Sequence, residues 1–173
     1  MAETTTLSRI RAASPCSEGW VGILSAVGKT AADDEPLTYA SFINTNGLSQ
    51  AIWAFRAEPE KAGVWRGFVL SLLREVQSLI VDSRSIEAVK TLARHANGEA
   101  TNDELAVAEK EALQAMRDNA GKWTPEQQLA HNAVRNAMNT KAHEAAELVS
   151  VDLMSLVGLA RQTEIYLATV GVE

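Results

Sequence analysis

The feature that most restricts how this chain can fold is an apolar stripe between residues 64 and 80. Val64, Trp65, Phe68, Val69, Leu72, Leu73, Val76, Leu79 and Ile80 recur at i, i+1, i+4 and i+5. That spacing gathers side chains on one broad face of a 3.6-residue helix. A face this wide is stable only when other elements cover it, so the segment opened by Pro59 predicts a central core helix, with Arg66, Arg74 and Gln77 on its other faces. The covering elements read as helices too. Apolar residues make up 46% of the chain and aromatics only 5%, leaving Ala and Leu to supply the burial, which suits close helix–helix packing better than a Val/Tyr-rich sheet. The length of 173 residues suits one domain and is short for two. The expectation is an all-α, single-domain helical bundle over residues 1–173, with about six to eight helices and a long C-terminal helix.

Local signals divide the rest of the chain. Residues 5–13 can form a short first helix, closed by Ser14-Pro15. Ser17 is placed to cap a helix from Glu18 to about Val27, with Gly28 as its stop. Thr38 can start a short helix through Ile43, Asn46-Gly47 breaks it, and Leu48 to Ala57 returns to helix with Leu48, Ile52 and Phe55 on one face. After Asp82-Ser83 a helix runs to about Ala96 and stops at Asn97-Gly98. Thr101 and Glu104 form a capping box for a helix to about Ala120, ended by Gly121. Thr124, Pro125 and Gln127 open another. No Gly or Pro follows until Gly158, so this last stretch reads as one helix to about Val170, or as two with a break near Asn139 or Ser150.

The net charge of −6 and a pI near 5.1 argue against a surface that coats nucleic acid, because such surfaces are basic. The single cysteine, Cys16, can form neither an internal disulfide nor a Cys-based zinc site, and reads as a small packing residue in a reducing compartment. The opening MAETTTLSRIR lacks a signal peptide's apolar core. The run from Leu148 to Leu159 is interrupted by Asp152 and too short to span a bilayer. These readings point to a cytoplasmic protein with no membrane contact.

Candidate chemistry is sparse. Gly22 to Thr30 ends in GKT and resembles a phosphate-binding loop. Such a loop has four residues between its first Gly and the GK[ST], whereas Gly22 and Gly28 enclose five. It also follows a strand and feeds a helix N-terminus, whereas Gly28 here ends a helix and leaves Lys29 near the C-terminal pole of the dipole. Of His95, His131 and His143, no two have i, i+4 spacing. His143-Glu144 with Glu147 resembles a zinc-protease helix whose second histidine is replaced, leaving an incomplete ligand set, and the paired Glu-x-x-His motifs of di-iron bundles are missing. No catalytic, metal or cofactor site is assigned.

Two acidic features remain. Asp33, Asp34 and Glu35 form a compact loop after Lys29. Glu99, Asp103, Glu104, Glu109 and Glu111 gather around the start of one helix, with Lys110 the only nearby counter-charge. Both complement helix dipoles and wet a surface; as partner-binding residues they would dock on a basic surface. Trp20, Trp53, Trp65 and Trp123 read as core or hairpin-packing residues, with Trp123 the most accessible.

Three segments in order carry a resemblance: VGKTAADDEPL (27–37), NGLSQAIWAFRA (46–57) and SRSIEAVKTLARHANGEATNDELAVA (83–108). They resemble a family of phage and prophage helical proteins with GKT-x-ADD-x-P-L, NGL-x-x-A-x-W-x-x-RA and ANGEA segments. The last part is also similar to the helical domain of putative immunity proteins of the Imm-5 type. The likeness spans roughly residues 20–115 and departs at Ser49-Gln50, where the family often has two acids. It implies a helical fold and a mobile-element setting, and supplies no catalytic residue. Gly28, Lys29, Thr30, Asp33, Asp34, Asn46, Gly47, Trp53 and Arg56 match its pattern. A physical role for them is a clasp in which Lys29 or Arg56 pairs with Asp33 or Asp34 and pins the loop against the Trp53 helix.

These readings lead to a non-enzymatic phage or mobile-element protein, in the cytoplasm of a bacterial host cell, that binds and blocks a protein partner. The partner would be a host or rival protein, such as a nucleic-acid-binding defence complex with a basic surface, inhibited in the manner of an anti-CRISPR protein without direct nucleic-acid contact. Alternatives are a toxin-neutralising immunity protein, a metal- or nucleotide-binding helical enzyme using His131, His143, Glu144 or Lys29, and a homodimeric module joined through the long C-terminal helix.

Overall fold

The computed structural model describes residues 2–171, without the side chains of residues 44–46. The apolar stripe becomes helix α4 (Ala62–Glu75), which fully buries Trp65, Phe68, Val69, Leu72 and Leu73. Around it pack α3 (Tyr39–Trp53), α5 (Ser83–Ala96), α7 (Pro125–Ala137), α8 (Ala142–Asp152) and α10 (Leu159–Val170). The central position follows from the width of the stripe, since only a helix covered on several sides can use so many apolar residues. The remaining helices among the described residues are α1 (Leu7–Ala12), α2 (Ser17–Ala26), α6 (Asn102–Asp118) and the short α9 (Met154–Val157). The all-α architecture is as expected, with ten helices among the described residues rather than six to eight.

One interaction cluster shows how the middle of the molecule is assembled. Phe55 lies between Trp65 and Tyr166, stacked on each with centroids 3.9 and 5.6 Å away, and Phe68 and Tyr39 meet these rings edge-on. The polar ends of the rings are spent inside: Tyr166 Oη donates to Tyr39 O at 3.0 Å, Tyr39 Oη to Ala54 O at 3.2 Å, and Trp65 Nε1 to Glu58 O at 3.0 Å. Each bond satisfies a buried group that would otherwise be costly, and the Tyr166 bond links α10 to α3, elements distant in sequence. Burial pushes both tyrosine hydroxyls to higher pKa.

Several boundaries differ from those the sequence suggests. The α4 helix ends at Glu75, and a 3-10 turn at Gln77–Leu79 brings Val76 and Ile80 into the core. Arg66, read as lying on an outer face, is fully buried. Its guanidinium donates to Ala137 O at 3.3 Å, Asn139 O at 2.8 Å and Thr140 O at 3.1 Å. The cation therefore sits on the negative pole of α7 and occupies the carbonyls a helix end leaves unpaired. Burial pushes its pKa down to about 10, so it stays protonated at neutral pH.

The long C-terminal helix is not formed. Residues 125–170 are divided among α7, α8, α9 and α10. Arg66 holds the first break open, and Asn139 shapes it, its Oδ1 accepting from Lys141 N at 2.9 Å in an Asx turn. A second break falls near Ser150, where α8 ends at Asp152 and Leu153 separates it from α9. Ser150 itself is buried in the last turn of α8, its hydroxyl donating to Gln162 Oε1 at 2.6 Å while Gln162 Nε2 returns a bond to Ser150 O at 3.0 Å. The last break is at Gly158, whose φ of 75° and ψ of 155° only glycine adopts readily. Dimerisation through one long C-terminal helix therefore has no such helix to use among the described residues.

The N-terminal third holds smaller differences. Thr4–Thr5 and Leu37–Thr38 form a two-residue antiparallel ribbon, β1 and β2, that the sequence reading left out. The α2 helix is capped by Cys16, whose exposed Sγ accepts from Gly19 N at 3.4 Å, so Cys16 is a cap rather than a packing residue and Ser17 is the first helical position. The α3 helix kinks at Gly47. The chain from Leu48 continues as helix to Trp53 and then as a 3-10 turn over Ala54–Ala57. No helix among the described residues is long and apolar enough to cross a membrane.

Candidate functional site

The α5–α6 hairpin carries the most distinctive surface. Asp82 starts α5 by accepting from Arg84 N at 2.9 Å, and Thr101 and Glu104 close the expected capping box on α6. Arginine–carboxylate bridges tie the helices antiparallel at both ends. Arg84 joins Asp82 at 3.0 Å and Asp118 at 2.7 Å, and Arg94 joins Glu104 at 2.8 Å. These guanidinium contacts hold Asp82 and Asp118 below the usual carboxylate range, and in Glu104 the backbone N–H of Thr101 is the first cause, ahead of Arg94.

Between the two bridges lies an open groove of about 550 Å³. Its walls are the rows Ser83, Glu87, Thr91 on α5 and Asp103, Val107, Glu111 on α6, each spaced i, i+4, i+8. Its floor contains Ala88 and Ala108. The groove exists because the floor residues are alanines, which let the helices approach and project nothing upward. Val107 stands on its wall 59% exposed. Asp103 and Glu111 are exposed, and their carboxylates make no hydrogen bond or ion pair with the described residues. Glu87 pairs with Lys90 at 2.6 Å, both well exposed, and such pairs are held weakly. Arg84 is neutralised by its two aspartates, so the groove is apolar inside and acidic at the rim.

The acidic residues expected to bind a partner are distributed unevenly. Asp103, Glu104 and Glu111 line the groove, and Glu99 lies in the turn before α6. Glu109 is on another face of α6, its carboxylate 3.7 Å from Arg135 of α7. In the loop after α2, Asp33 and Glu35 close on Lys29 at 2.7 and 2.6 Å while Asp34 stays exposed. Hydrogen bonds from the Lys29 ammonium hold Asp33 low, and those to Asp33 and Glu35 raise Lys29. The loop is fastened to α1 through Ser8 N and Asp33 O at 3.0 Å. The expected ion pair is thus present as Lys29–Asp33, while the bond that fastens the loop runs to α1 rather than to the Trp53 helix. Arg56 turns elsewhere, binding both oxygens of Glu147 at 2.8 Å from α8 and lying 5.4 Å over the Trp53 ring.

The GKT segment is a helix stop. Gly28 has φ 68°, and Lys29 N reaches back to Leu24 O at 2.9 Å, a Schellman closure. Glu147 is committed to Arg56 and Glu144 to Lys141 and Asn139, so the His143 segment gathers ion pairs rather than a ligand set. No group of three potential metal ligands occurs among the described residues. His131 is fully buried, stacked 3.7 Å from Trp123. Its Nε2 accepts from Val81 N at 3.2 Å, which places the proton on Nδ1, where it points to Ser85 Oγ at 2.7 Å. Burial lowers its pKa, against a smaller opposing effect of Asp82.

The sequence reading missed Val107 and Glu87. A signal was available for Val107: the buried positions of α6 are Leu105, Ala108, Ala112 and Ala115, and residue 107 falls on a different side of the wheel. The fold and this groove define the molecule as an all-α bundle with an acid-rimmed helical cleft. Compared with protein-family models, curated proteins and solved structures, the chain gives no match.

Proposed function

We propose that this chain is a non-enzymatic phage or mobile-element protein that acts in the cytoplasm of a bacterial host, binding and blocking a protein through the α5–α6 groove. The observation that carries the reading is an exposed Val107 beside Asp103 and Glu111, whose carboxylates have no partner among the described residues, on the wall of one cleft. Desolvated apolar contact supplies affinity, and rim charge supplies orientation and partner choice. The sign of the rim favours a basic protein surface, such as that of a nucleic-acid-binding defence complex, and repels nucleic acid itself. The resemblance of residues 27–37, 46–57 and 83–108 to phage and prophage proteins supports a mobile-element setting, in which an anti-defence role is one fit. Support for a binding rather than a catalytic role comes from the histidines and Lys29: His131 and Lys29 are spent on internal contacts, and His143 sits among ion pairs.

The test is capture from phage-infected host cells with the wild-type chain and with an Asp103→Lys, Glu111→Lys variant. A host defence protein retained by the wild type and lost by the variant supports the reading. Equal capture by both overturns the assigned surface. A toxin as the captured protein replaces defence inhibition with immunity.

A further inference from the structure

Resting on the reading above, we infer that the occupant of the groove is a basic amphipathic α-helix of the partner, rather than a loop or a flat basic face. The groove is bounded by two antiparallel helices whose wall residues repeat at i, i+4, i+8. Each row is about 12 Å long at 1.5 Å per residue. Such a channel is filled by a third helix, whose own i, i+4 ridge drops between the walls. A strand would need an unpaired sheet edge beside it, and both walls are helical.

The chemistry of the occupant follows from the lining. Ala88 and Ala108 on the floor leave room for a protruding apolar side chain, and Val107 offers a contact from the side. A helix with Leu or Met at i and i+4 fits this space. Its flanks meet Asp103 and Glu111 toward opposite ends of the α6 wall and Glu87 on the α5 wall. Lys or Arg at the positions beside the apolar ridge would pair with these carboxylates, two of which have no partner among the described residues to give up. The ends are already closed by Arg84 and Arg94 in their own bridges, so neither arginine repels the incoming charge strongly.

The probe is a fluorescein-labelled peptide of Leu, Ala and Lys, about 14 residues and four helical turns long, with a Leu stripe flanked by Lys. A shuffled peptide of identical composition lacks the stripe, and a third peptide carries Glu in place of Lys. Anisotropy with the full chain is expected to show binding at least about tenfold tighter for the striped basic peptide than for either control. Backbone amide shifts should concentrate at Ala88, Val107 and Ala108. Val107→Asp and Glu111→Lys should each weaken binding about tenfold, and added salt should weaken it further. Equal affinity for the shuffled peptide would show only a diffuse acidic surface and overturn the inference, as would shifts confined to other faces. If the captured host protein is lost in the Asp103→Lys, Glu111→Lys variant while the striped peptide does not bind, the helical occupant falls and the docking surface stands. If neither depends on these residues, both fall.

Discussion

Two buried polar side chains set the behaviour of the molecule at the residue scale. Arg66 is a cation in the core without a carboxylate partner among the described residues, neutralised by carbonyls at the end of α7. Removing it leaves those acceptors with nothing to bond, and an unsatisfied buried group costs about 1–3 kcal/mol. Arg66→Ala should therefore lower stability in urea unfolding by at least about 3 kcal/mol. Arg66→Met should recover only the part due to packing of the stem. His131 supplies a pH dependence. Its folded pKa is depressed by burial, so the unfolded chain binds the proton more readily. The stability it contributes is fully present above its ordinary value near 6.5 and is lost as pH falls from there toward the folded value. His143 acts in the same direction, whereas buried Glu58, with its pKa raised by burial, acts in the opposite sense as pH rises above its ordinary range. Unfolding midpoints between about pH 7.5 and 5 should fall for the wild type and fall less for His131→Gln. An equal slope in both would remove His131 as the cause.

Among the elements, the capped helices were legible and the broken one was not. Thr101–Glu104 and Thr124–Gln127 are both closed capping boxes in the structure, because a cap is a bond between near neighbours that needs no tertiary partner. The break between α7 and α8 was readable near Asn139, but the cation that holds it, Arg66, comes from a different part of the chain, and no local pattern in residues 125–170 reveals it. Gly158, where the last break falls, tests the description. Within a continuous helix, Gly158→Ala would stabilise by about 1 kcal/mol. At φ 75° and ψ 155° the same change should destabilise by about 1–3 kcal/mol, measured by thermal or urea unfolding.

For the whole molecule, the groove should be separable from the core. Val107 and Glu111 are exposed and take no part in the buried cluster. Val107→Asp and Glu111→Lys should change unfolding free energy by no more than about 0.5 kcal/mol while weakening peptide binding. A large loss of stability in either would make the residue part of the fold instead. The acidic cluster around the start of α6 was visible in the sequence, but its division was not. Glu109 turns toward Arg135 and leaves Asp103, Glu104 and Glu111 on the groove, a sorting made by where α5 and α7 pack against α6.

Periodicity and caps are short-range properties. They determined by themselves that this chain is helical, that α4 is its centre, and where α5, α6 and α7 begin. Which polar residues enter the core, which cation holds the break at Asn139 and which acids share a cleft were decided only by tertiary packing. Burial of Arg66, the turn of Arg56 toward Glu147 and the alanine floor beneath Val107 each require a partner distant in sequence. A one-dimensional pattern records that such side chains exist. It carries no distance between them, and the free energy of a buried charge or an open groove depends on that distance.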